Sequence, residues 1–228
     1  MKMLLTVVLG VLLGLGTAYG GTIYDGTWTT IADDDGPVGP GGGGQPYDAE
    51  YLAYKIEGNS LFLGLQSGFD LGDMEQPWGS SSVYGGDLAM SFDGDSSYYE
   101  YAIDYGFYTA GWSGPGQTDP EGLYQVTSWN TDTYYGVSGP LYQETGVLVS
   151  SLLDNDYFQT GDSYFRWVEL EITGLPPGED IDLWWTMSCG NDTISSDFRV
   201  IREVPEPGTM MLFGTGLLGL AGLSRRRK

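Results

Sequence analysis

Closely spaced aspartates are the side chains of this sequence best suited to bind a metal ion. Asp93 and Asp95 are separated by one residue, and so are Asp154 and Asp156. Ca²⁺ takes carboxylate, amide and backbone oxygens as ligands, so these two pairs are candidate calcium sites and calcium is the candidate cofactor. Neither pair has EF-hand spacing. The sixth position of an EF-hand loop requires glycine, and if Asp93 is the first position, the sixth is Tyr98. The alternative is that these aspartates form turns.

Tryptophans beside polar residues offer a second chemistry, the stacking of sugar rings. Trp184 is the best placed, because its neighbours on the same strand face would be Asp182 and Thr186. Trp112 lies in a loop rich in glycine and serine. A sugar platform needs an exposed aromatic ring rimmed by polar groups. The alternative is that both are single exposed aromatics, which are common on protein surfaces.

The composition excludes several classes of site. The 228 residues include no histidine and one cysteine, which rules out a Ser-His-Asp triad, a Cys-His pair and zinc sites of imidazole or clustered thiolate. Nine basic against 31 acidic residues give a formal charge of −22, so we expect no nucleic-acid partner. Paired carboxylates could still cleave glycosidic bonds. Because the acids lie mostly in turn-like segments, we predict a binding or structural protein and not an enzyme.

Short β-strands are the elements that would position these side chains. Runs rich in Tyr, Trp, Phe, Val and Ile alternate with Gly, Asp, Ser and Pro, and helix periodicity is nearly absent. Two hairpins are expected, 49–56 with 61–66 and 87–92 with 98–104. Further strands are predicted at residues 123–129, 133–137, 164–172, 181–188 and 198–203. The sequence therefore predicts an all-β fold, with a single acidic β-sandwich over residues 21–203.

One predicted strand shows strict alternation of apolar and polar residues. Its apolar positions are Ile181, Leu183, Trp185, Met187 and Cys189, which period two places on a core face. Cys189 is therefore expected to be a buried, inert thiol, and the alternatives are an intermolecular disulfide or a lipidated thiol. Of two long loops, we expect residues 33–46 to form a flexible insertion and residues 105–122, which carry aromatics, to be ordered.

The first 20 residues predict a signal peptide. Lys2 precedes an apolar run over residues 4–16, which is short for a bilayer span of about 20 residues. Small residues place the cleavage after Gly20, with cleavage after Ala18 as the alternative. An uncleaved membrane anchor is the other interpretation of this run. We expect the protein to be exported.

Residues 204–228 combine three features in a fixed order. A proline-rich motif is followed by an uncharged, mostly apolar segment at residues 209–223 and then by a basic cluster. The motif and the cluster consist of Val204, Pro205, Glu206 and Pro207, and of Arg225, Arg226, Arg227 and Lys228. We predict a C-terminal transmembrane sorting helix at 209–223, with the basic cluster on the cytoplasmic side.

This order of features resembles the PEP-CTERM sorting signal of Gram-negative bacteria. The resemblance implies an exosortase-type processing enzyme as a partner, cleavage near the motif, and transient or permanent contact with the inner membrane. It also implies an association with exopolysaccharide or biofilm matrix. A plain tail anchor is the alternative. Residues 184–192 look like a stretch found in other PEP-CTERM proteins, and no role follows for them.

A second resemblance concerns the beginning of the sandwich. Residues 24–28, 48–54 and 61–65 follow one another in an order that resembles family 9 carbohydrate-binding modules and related DOMON-type sandwiches. The resemblance implies sugar or ligand binding and a structural calcium. It carries over no sugar-contacting residue.

The sequence thus predicts an exported cell-surface or extracellular-matrix protein with a structural or adhesive role beside exopolysaccharide. The alternative is a calcium-stabilised carbohydrate-binding module that is tail-anchored at the membrane. Residues 21–203 hold 4 basic and 30 acidic residues, a formal charge of about −26. Such a charge favours solubility and bridging by divalent cations.

Overall fold

The computed structural model describes residues 21–200 apart from residues 35, 37, 40 and 176–179. The predicted signal peptide, sorting motif, transmembrane segment and basic cluster lie outside the described residues. Within the described part, no helix is long and apolar enough to cross a bilayer. The all-β prediction is confirmed, since strands, turns and loops are joined only by two three-residue 3-10 helices, Gln45–Tyr47 and Ile172–Gly174, in that part.

Five antiparallel strands form the first sheet. In spatial order they are β1 (Thr29–Asp33), β2 (Ala49–Glu57), β3 (Ser60–Ser67), β13 (Ser163–Glu171) and β12 (Asp154–Thr160). The β2–β3 hairpin confirms the first predicted hairpin, and its turn contains Gly58 with φ 61°, which glycine adopts without strain.

Six antiparallel strands form the second sheet. In spatial order they are β11 (Tyr142–Ser150), β10 (Gly122–Asn130), β7 (Tyr101–Asp104), β6 (Leu88–Ser91), β14 (Asp180–Thr186) and β15 (Thr193–Arg199). Two small hairpins complete the described strands: β4 (Glu75–Trp78) with β5 (Ser81–Tyr84), and β8 (Thr109–Ala110) with β9 (Gly116–Gln117).

The hydrophobic core lies between the two sheets. Leu61, Leu63 and Leu65 alternate along β3 and are buried. On β14, Leu183 and Trp185 face the same core, which confirms the predicted core face of this strand. The Trp185 Nε1 donates to the Gly86 carbonyl at 2.9 Å, so its polar atom is satisfied inside the core.

The outer face of the first sheet is covered by the residues that precede β1. Tyr24 and Trp28 lie over Phe165, with ring centroids 4.8 and 5.0 Å apart. The Ile23 amide donates to Gln66 Oε1 at 2.9 Å and anchors this segment. A Cβ on Gly64 would lie 2.3 Å from Phe165, so glycine leaves the room that the aromatic layer occupies.

Two strand predictions differ from the structure. Residues 133–137 form a turn and not a strand, because Gly136 has φ 61° and its amide donates to the Thr133 carbonyl at 3.2 Å. The last described strand, β15, begins at Thr193, before the predicted start at residue 198, and residues 201–203 lie outside the described range. The observed strands that have no counterpart among the predicted strands are β1, β4, β5, β8, β9, β11 and β12.

Hydrogen bonds hold part of the glycine-rich loop before β2, whereas its flexibility as an insertion stays a prediction. The Gly41 amide donates to the Asn191 carbonyl at 2.8 Å, and the Asn191 side chain donates to the Gly42 carbonyl. The Gly39 amide approaches Asp192 Oδ1 at 3.4 Å. The β14–β15 turn, residues 187–192, forms most of the stretch that had no assigned role, and it holds this loop in place.

Cys189 lies within this stretch, three residues after the end of β14, and is fully buried. Burial raises the pKa of its thiol to about 11, so the thiolate is disfavoured at neutral pH. Both observations agree with the predicted inert thiol.

Candidate functional site

A groove of about 580 Å³ crosses the outer face of the second sheet. One wall is the β6–β7 hairpin loop and the other is the loop that leads into β11. Three aromatic rings and several hydroxyls line it: Tyr98, Tyr99 and Trp129, with Ser96, Ser97, Thr127, Thr131 and Ser138. None of the described residues that line this groove carries a formal charge. A volume of this size lies in the range of ~300–1,000 Å³ that is usual for small-molecule sites.

One hydrogen bond holds the ring of Trp129, which forms the floor of the groove. Trp129, at the end of β10, donates its Nε1 hydrogen to the Tyr99 carbonyl at 2.7 Å. Its ring packs beside Ala102 and Val126. The side chain of Tyr98 is 49 % exposed, so its ring faces solvent at the entrance. The groove therefore combines one fixed ring with one accessible ring.

The first predicted calcium pair builds the hairpin loop that forms one wall. The Asp95 amide donates to Asp93 Oδ1 at 2.9 Å, and the Ser97 amide donates to Asp95 Oδ1 at 2.9 Å. Gly94 between them has φ 77°. These contacts are side-chain turns, which is the alternative that the sequence left open.

The second predicted calcium pair lies on the other sheet. Asp154 and Asp156 are exposed on β12, and the Oδ1 atom of each accepts the amide of the following residue at 2.9 and 2.8 Å. Among the described residues, no three acidic or cysteine side chains converge as a metal-binding group. The structure thus does not unite the two predicted pairs, and metal binding at either stays a prediction.

Trp184 packs against the loop that forms the second groove wall, and its role as a sugar platform stays a prediction. Its indole Nε1 donates to the Pro140 carbonyl at 3.0 Å. A Cβ on Gly139 would lie 2.3 Å from Trp184 Cε2, so the loop backbone lies directly against the ring. Trp184 is placed on the polar face as predicted, but the loop before β11 occupies part of its ring surface.

Trp112 belongs to a separate cluster of three exposed aromatic side chains, the Trp112 step, which also contains Tyr134 and Tyr135. Its ring centroid lies 4.6 Å from that of Tyr134, which lies 4.9 Å from that of Tyr135. The exposed fractions of these side chains are 37 %, 55 % and 43 %. The Trp112 amide donates to the Asp132 carbonyl at 2.8 Å, which ties the step to the loop that forms the second groove wall. Trp112 remains a predicted sugar contact outside the groove.

A buried acidic cluster lies below the β10–β11 edge. The Gln143 amide donates to Asp87 Oδ2 and its side chain to Asp119 Oδ2, both at 2.8 Å, and the Gly106 amide donates to Asp104 Oδ1 at 2.7 Å. Burial, followed by the charge of Asp104, raises the pKa of Asp87 well above its usual value. Burial also raises the pKa of Asp104 to about 6. Sequence analysis missed this cluster because its members are far apart in the chain.

The comparisons with known proteins bear on the C-terminus. Residues 203–228 match the family model of the PEP-CTERM protein-sorting motif, which confirms the motif predicted from Val204 to Pro207. No curated protein and no solved structure matches the chain. The motif implies that the protein is exported and that it is anchored at the membrane before an exosortase processes it.

Proposed function

We propose that this exported protein is an adhesive component of an exopolysaccharide matrix and that it binds a polysaccharide chain in the groove of the second sheet. The observation that supports this most strongly is the lining of the groove, which pairs aromatic rings with hydroxyls and lacks charge among its described residues. The sorting motif supports the location, because it directs the domain to the export pathway.

The chemistry of the groove suits a sugar better than an apolar ligand. The C–H face of a pyranose would stack on Tyr98 at the entrance and on Trp129 at the floor. The hydroxyls of Thr127 and Thr131 would donate to and accept from the sugar hydroxyls. The Ser97 hydroxyl donates its hydrogen to Asp95 Oδ1, so it would act as an acceptor. An uncharged lining in a strongly acidic domain favours a neutral polysaccharide at this position, because an anionic chain would be repelled.

We infer that the groove binds polysaccharide without cleaving it. Glycosidic cleavage needs two carboxyl groups that flank the scissile bond, about 5–9.5 Å apart. The described residues that line the groove include no Asp or Glu. Incubation of the protein with a bound polysaccharide should therefore release no new reducing ends, and their appearance would contradict this inference.

Tryptophan fluorescence tests the groove directly. The protein, exported and purified from its own cells, is titrated with neutral and anionic polysaccharides, and we expect a neutral one to change the emission of Trp129. Tyr98→Ala should lower the affinity about tenfold, equivalent to about 1.4 kcal/mol. Tyr157→Ala is the matched control, because Tyr157 is 46 % exposed on the first sheet.

A third variant separates the groove from the second aromatic candidate. Tyr134→Ala removes the ring that lies beside Trp112 and leaves the groove lining intact. Binding that is lost in Tyr134→Ala and kept in Tyr98→Ala would place the sugar on the Trp112 step and overturn the groove proposal. Indifference to every polysaccharide offered would favour a purely structural role.

Intact mass tests the proposed final location. The native protein is recovered from membrane, surface and medium fractions, and its mass is measured in each. A mass that ends near Pro205 to Pro207 outside the inner membrane would support a cell-surface or extracellular role. A mass that keeps Arg225 to Lys228 in the inner membrane alone would contradict it.

A further inference from the structure

A second pocket lies next to the groove and has a different chemistry. Its volume is about 180 Å³, and it shares Ser96 and Tyr99 with the groove. The rest of its lining comes from β14 and β15, with Asp182 on one strand and Asp197 on the other. The groove is uncharged along its described lining, whereas this pocket concentrates carboxylates.

The strand register places these two carboxylates directly opposite each other. Asp182 pairs with Asp197 across the antiparallel β14–β15 ladder. Side chains at such positions have Cβ atoms about 4.5–5.5 Å apart, and like charges there are destabilising. The next pair on the same face of the ladder is Asp180 with Arg199, whose Nε lies 3.0 Å from Asp180 Oδ1. The Arg199 guanidinium therefore pairs with the Asp180 carboxylate, whereas Asp182 lies opposite a second acid, Asp197.

Asp182 supplies an independent indication of a missing ligand. Its side chain is only 6 % exposed, and its Oδ2 atom has no hydrogen-bond partner among the described residues. A buried carboxylate oxygen without a partner loses hydration and receives nothing in return. Burial, followed by the charges of Asp197 and Asp93, raises the pKa of the Asp182 carboxyl, which shows how unfavourable its ionised form is here.

We propose that this pocket binds a divalent cation of the calcium type between Asp182 and Asp197. Calcium takes 6–8 oxygen ligands in flexible geometry, and hydroxyls and water complete such a shell beside carboxylates. Ser96, Ser195 and Ser196 also line the pocket. Ser96 and Ser195 can offer hydroxyl oxygens to a cation, whereas Ser196 pairs with the core residue Leu183 and donates its hydroxyl hydrogen to the Ile31 carbonyl at 2.6 Å on the other face of the ladder.

Two carboxylates make a weak site. Extracellular calcium modules bind with dissociation constants of about 10⁻⁴–10⁻³ M, and affinity rises with the number of charged ligands. We expect this range here. The site differs from the two sequence-predicted pairs: Asp93 and Asp95 contribute their charge to the region, but their Oδ1 atoms accept backbone amides in the hairpin loop.

Terbium luminescence tests the cation site without any sugar. Tb³⁺ replaces Ca²⁺ and emits when a nearby aromatic ring is excited, and Tyr99 lines the pocket. With the full exported protein we expect Tb³⁺ emission that millimolar Ca²⁺ displaces. Asp182→Asn and Asp197→Asn should each lower this emission at least fivefold, whereas Asp162→Asn, an exposed aspartate beyond β12, should not change it.

Thermal melting excludes an unfolded variant as the cause of lost binding. In EDTA, Asp182→Asn should melt at the same temperature as the natural protein or higher, because the change removes a like-charge contact. Added Ca²⁺ should raise the melting temperature of the natural protein and leave that of the variant unchanged. Equal Tb³⁺ emission from natural protein, Asp182→Asn and Asp197→Asn would overturn the proposal.

The cation site has a consequence that rests on the proposed function. Ser96 lies on the hairpin that forms one wall of the groove, so a bound cation would hold this wall in place. Polysaccharide affinity should therefore fall when Ca²⁺ is removed by EDTA, and it should become insensitive to EDTA in Asp182→Asn. Because Tb³⁺ binding is measured without sugar, failure of polysaccharide binding leaves that result intact.

Discussion

The outer faces of the two sheets differ in how far the rest of the chain covers them. On the first sheet, Tyr24 and Trp28 lie over Phe165, which is fully buried. On the second sheet, the Tyr98 side chain remains 49 % exposed beside a groove of about 580 Å³. The segment before β1 covers the first face at Phe165, whereas the loop before β11 covers the second face only in part, at Trp184, and leaves the groove open. The covered face stabilises the fold, and the open face is available for a ligand.

Two buried acids, one on each sheet, differ in their hydrogen bonds. On the first sheet, Glu50 is fully buried and accepts hydrogen bonds from Gln66 and Ser163. On the second sheet, Asp182 is nearly as buried, but its Oδ2 has no partner in the described part of the chain. Buried polar groups are normally paired, so the unpartnered Oδ2 of Asp182 is the observation that the proposed cation would explain. Such atoms are not confined to the second sheet, since Arg166 Nε on β13 also lacks a hydrogen-bond partner in the described part of the chain.

Removing the centre of the covered face should have the largest effect. Phe165→Ala deletes a buried ring that packs against Tyr24, Trp28 and Phe158. We expect a loss of about 3–5 kcal/mol in the free energy of unfolding, from lost burial and the cavity that remains. Urea unfolding followed by circular dichroism measures it. A loss below about 1 kcal/mol would mean that this face does not stabilise the fold.

Filling the covered face should have a smaller effect of the same sign. In Gly64→Ala the new Cβ would lie 2.3 Å from Phe165 Cζ and 3.1 Å from Trp28 Cζ3. The rings must move, so we expect a loss of about 1–3 kcal/mol. Gly58→Ala is not a suitable control because of its positive φ, whereas Gly42→Ala is, since a Cβ there meets no atom within 4 Å. Equal stability of the two variants would contradict the close packing.

The acidic cluster of Asp87, Asp104 and Asp119 should make the stability of the protein depend on pH. The folded-state pKa of Asp104 is about 6, above the ~3.9 of an unfolded aspartate. A raised pKa contributes stability that is complete below the unfolded value and is lost as the pH rises through about 6. We expect the protein to unfold at a lower temperature at pH 7.5 than at pH 5.

Asp104→Asn should reduce this pH dependence. Asparagine keeps an oxygen that can accept the Gly106 amide and removes the charge, so stability at pH 7.5 should rise by on the order of 1–3 kcal/mol. The control is the exposed Asp162→Asn, which should keep the full difference between pH 5 and pH 7.5. Identical pH profiles for Asp104→Asn and the natural protein would exclude Asp104 as the titrating group.

Truncating the open face should have the smallest effect on stability. Tyr98→Ala removes an exposed ring, so we expect a change of less than about 0.5 kcal/mol, measured in the same urea experiment as Phe165→Ala. Its effect should instead appear in polysaccharide affinity. If Tyr98→Ala destabilised the protein as much as Phe165→Ala, the distinction between a covered and an open face would be wrong.

The sequence predicted the features that depend on local pattern. Period-two alternation placed Leu183 and Trp185 in the core and Trp184 on the opposite face. Turn-forming residues located the β2–β3 hairpin. The calcium pairs were chosen by the same local criterion. At Asp93 and Asp95 both side chains accept backbone amides in a turn, and metal binding there stays a prediction.

Features that depend on distant parts of the chain escaped the sequence. Asp182 and Asp197 face each other only through the β14–β15 register, and one step of register would have separated them. Gly139 meets Trp184 because the loop before β11 folds back across the sheet. No spacing in the sequence encodes either contact.

The sequence by itself determined where the protein is sent and what kind of fold it has. A sorting motif is a contiguous stretch recognised by a processing enzyme, and strand alternation is a property of neighbouring residues. The tertiary structure alone decided which faces are covered, which acids meet and where a groove opens. These outcomes depend on register and loop placement, which bring together residues such as Ser96 and Asp197 that lie far apart in the chain.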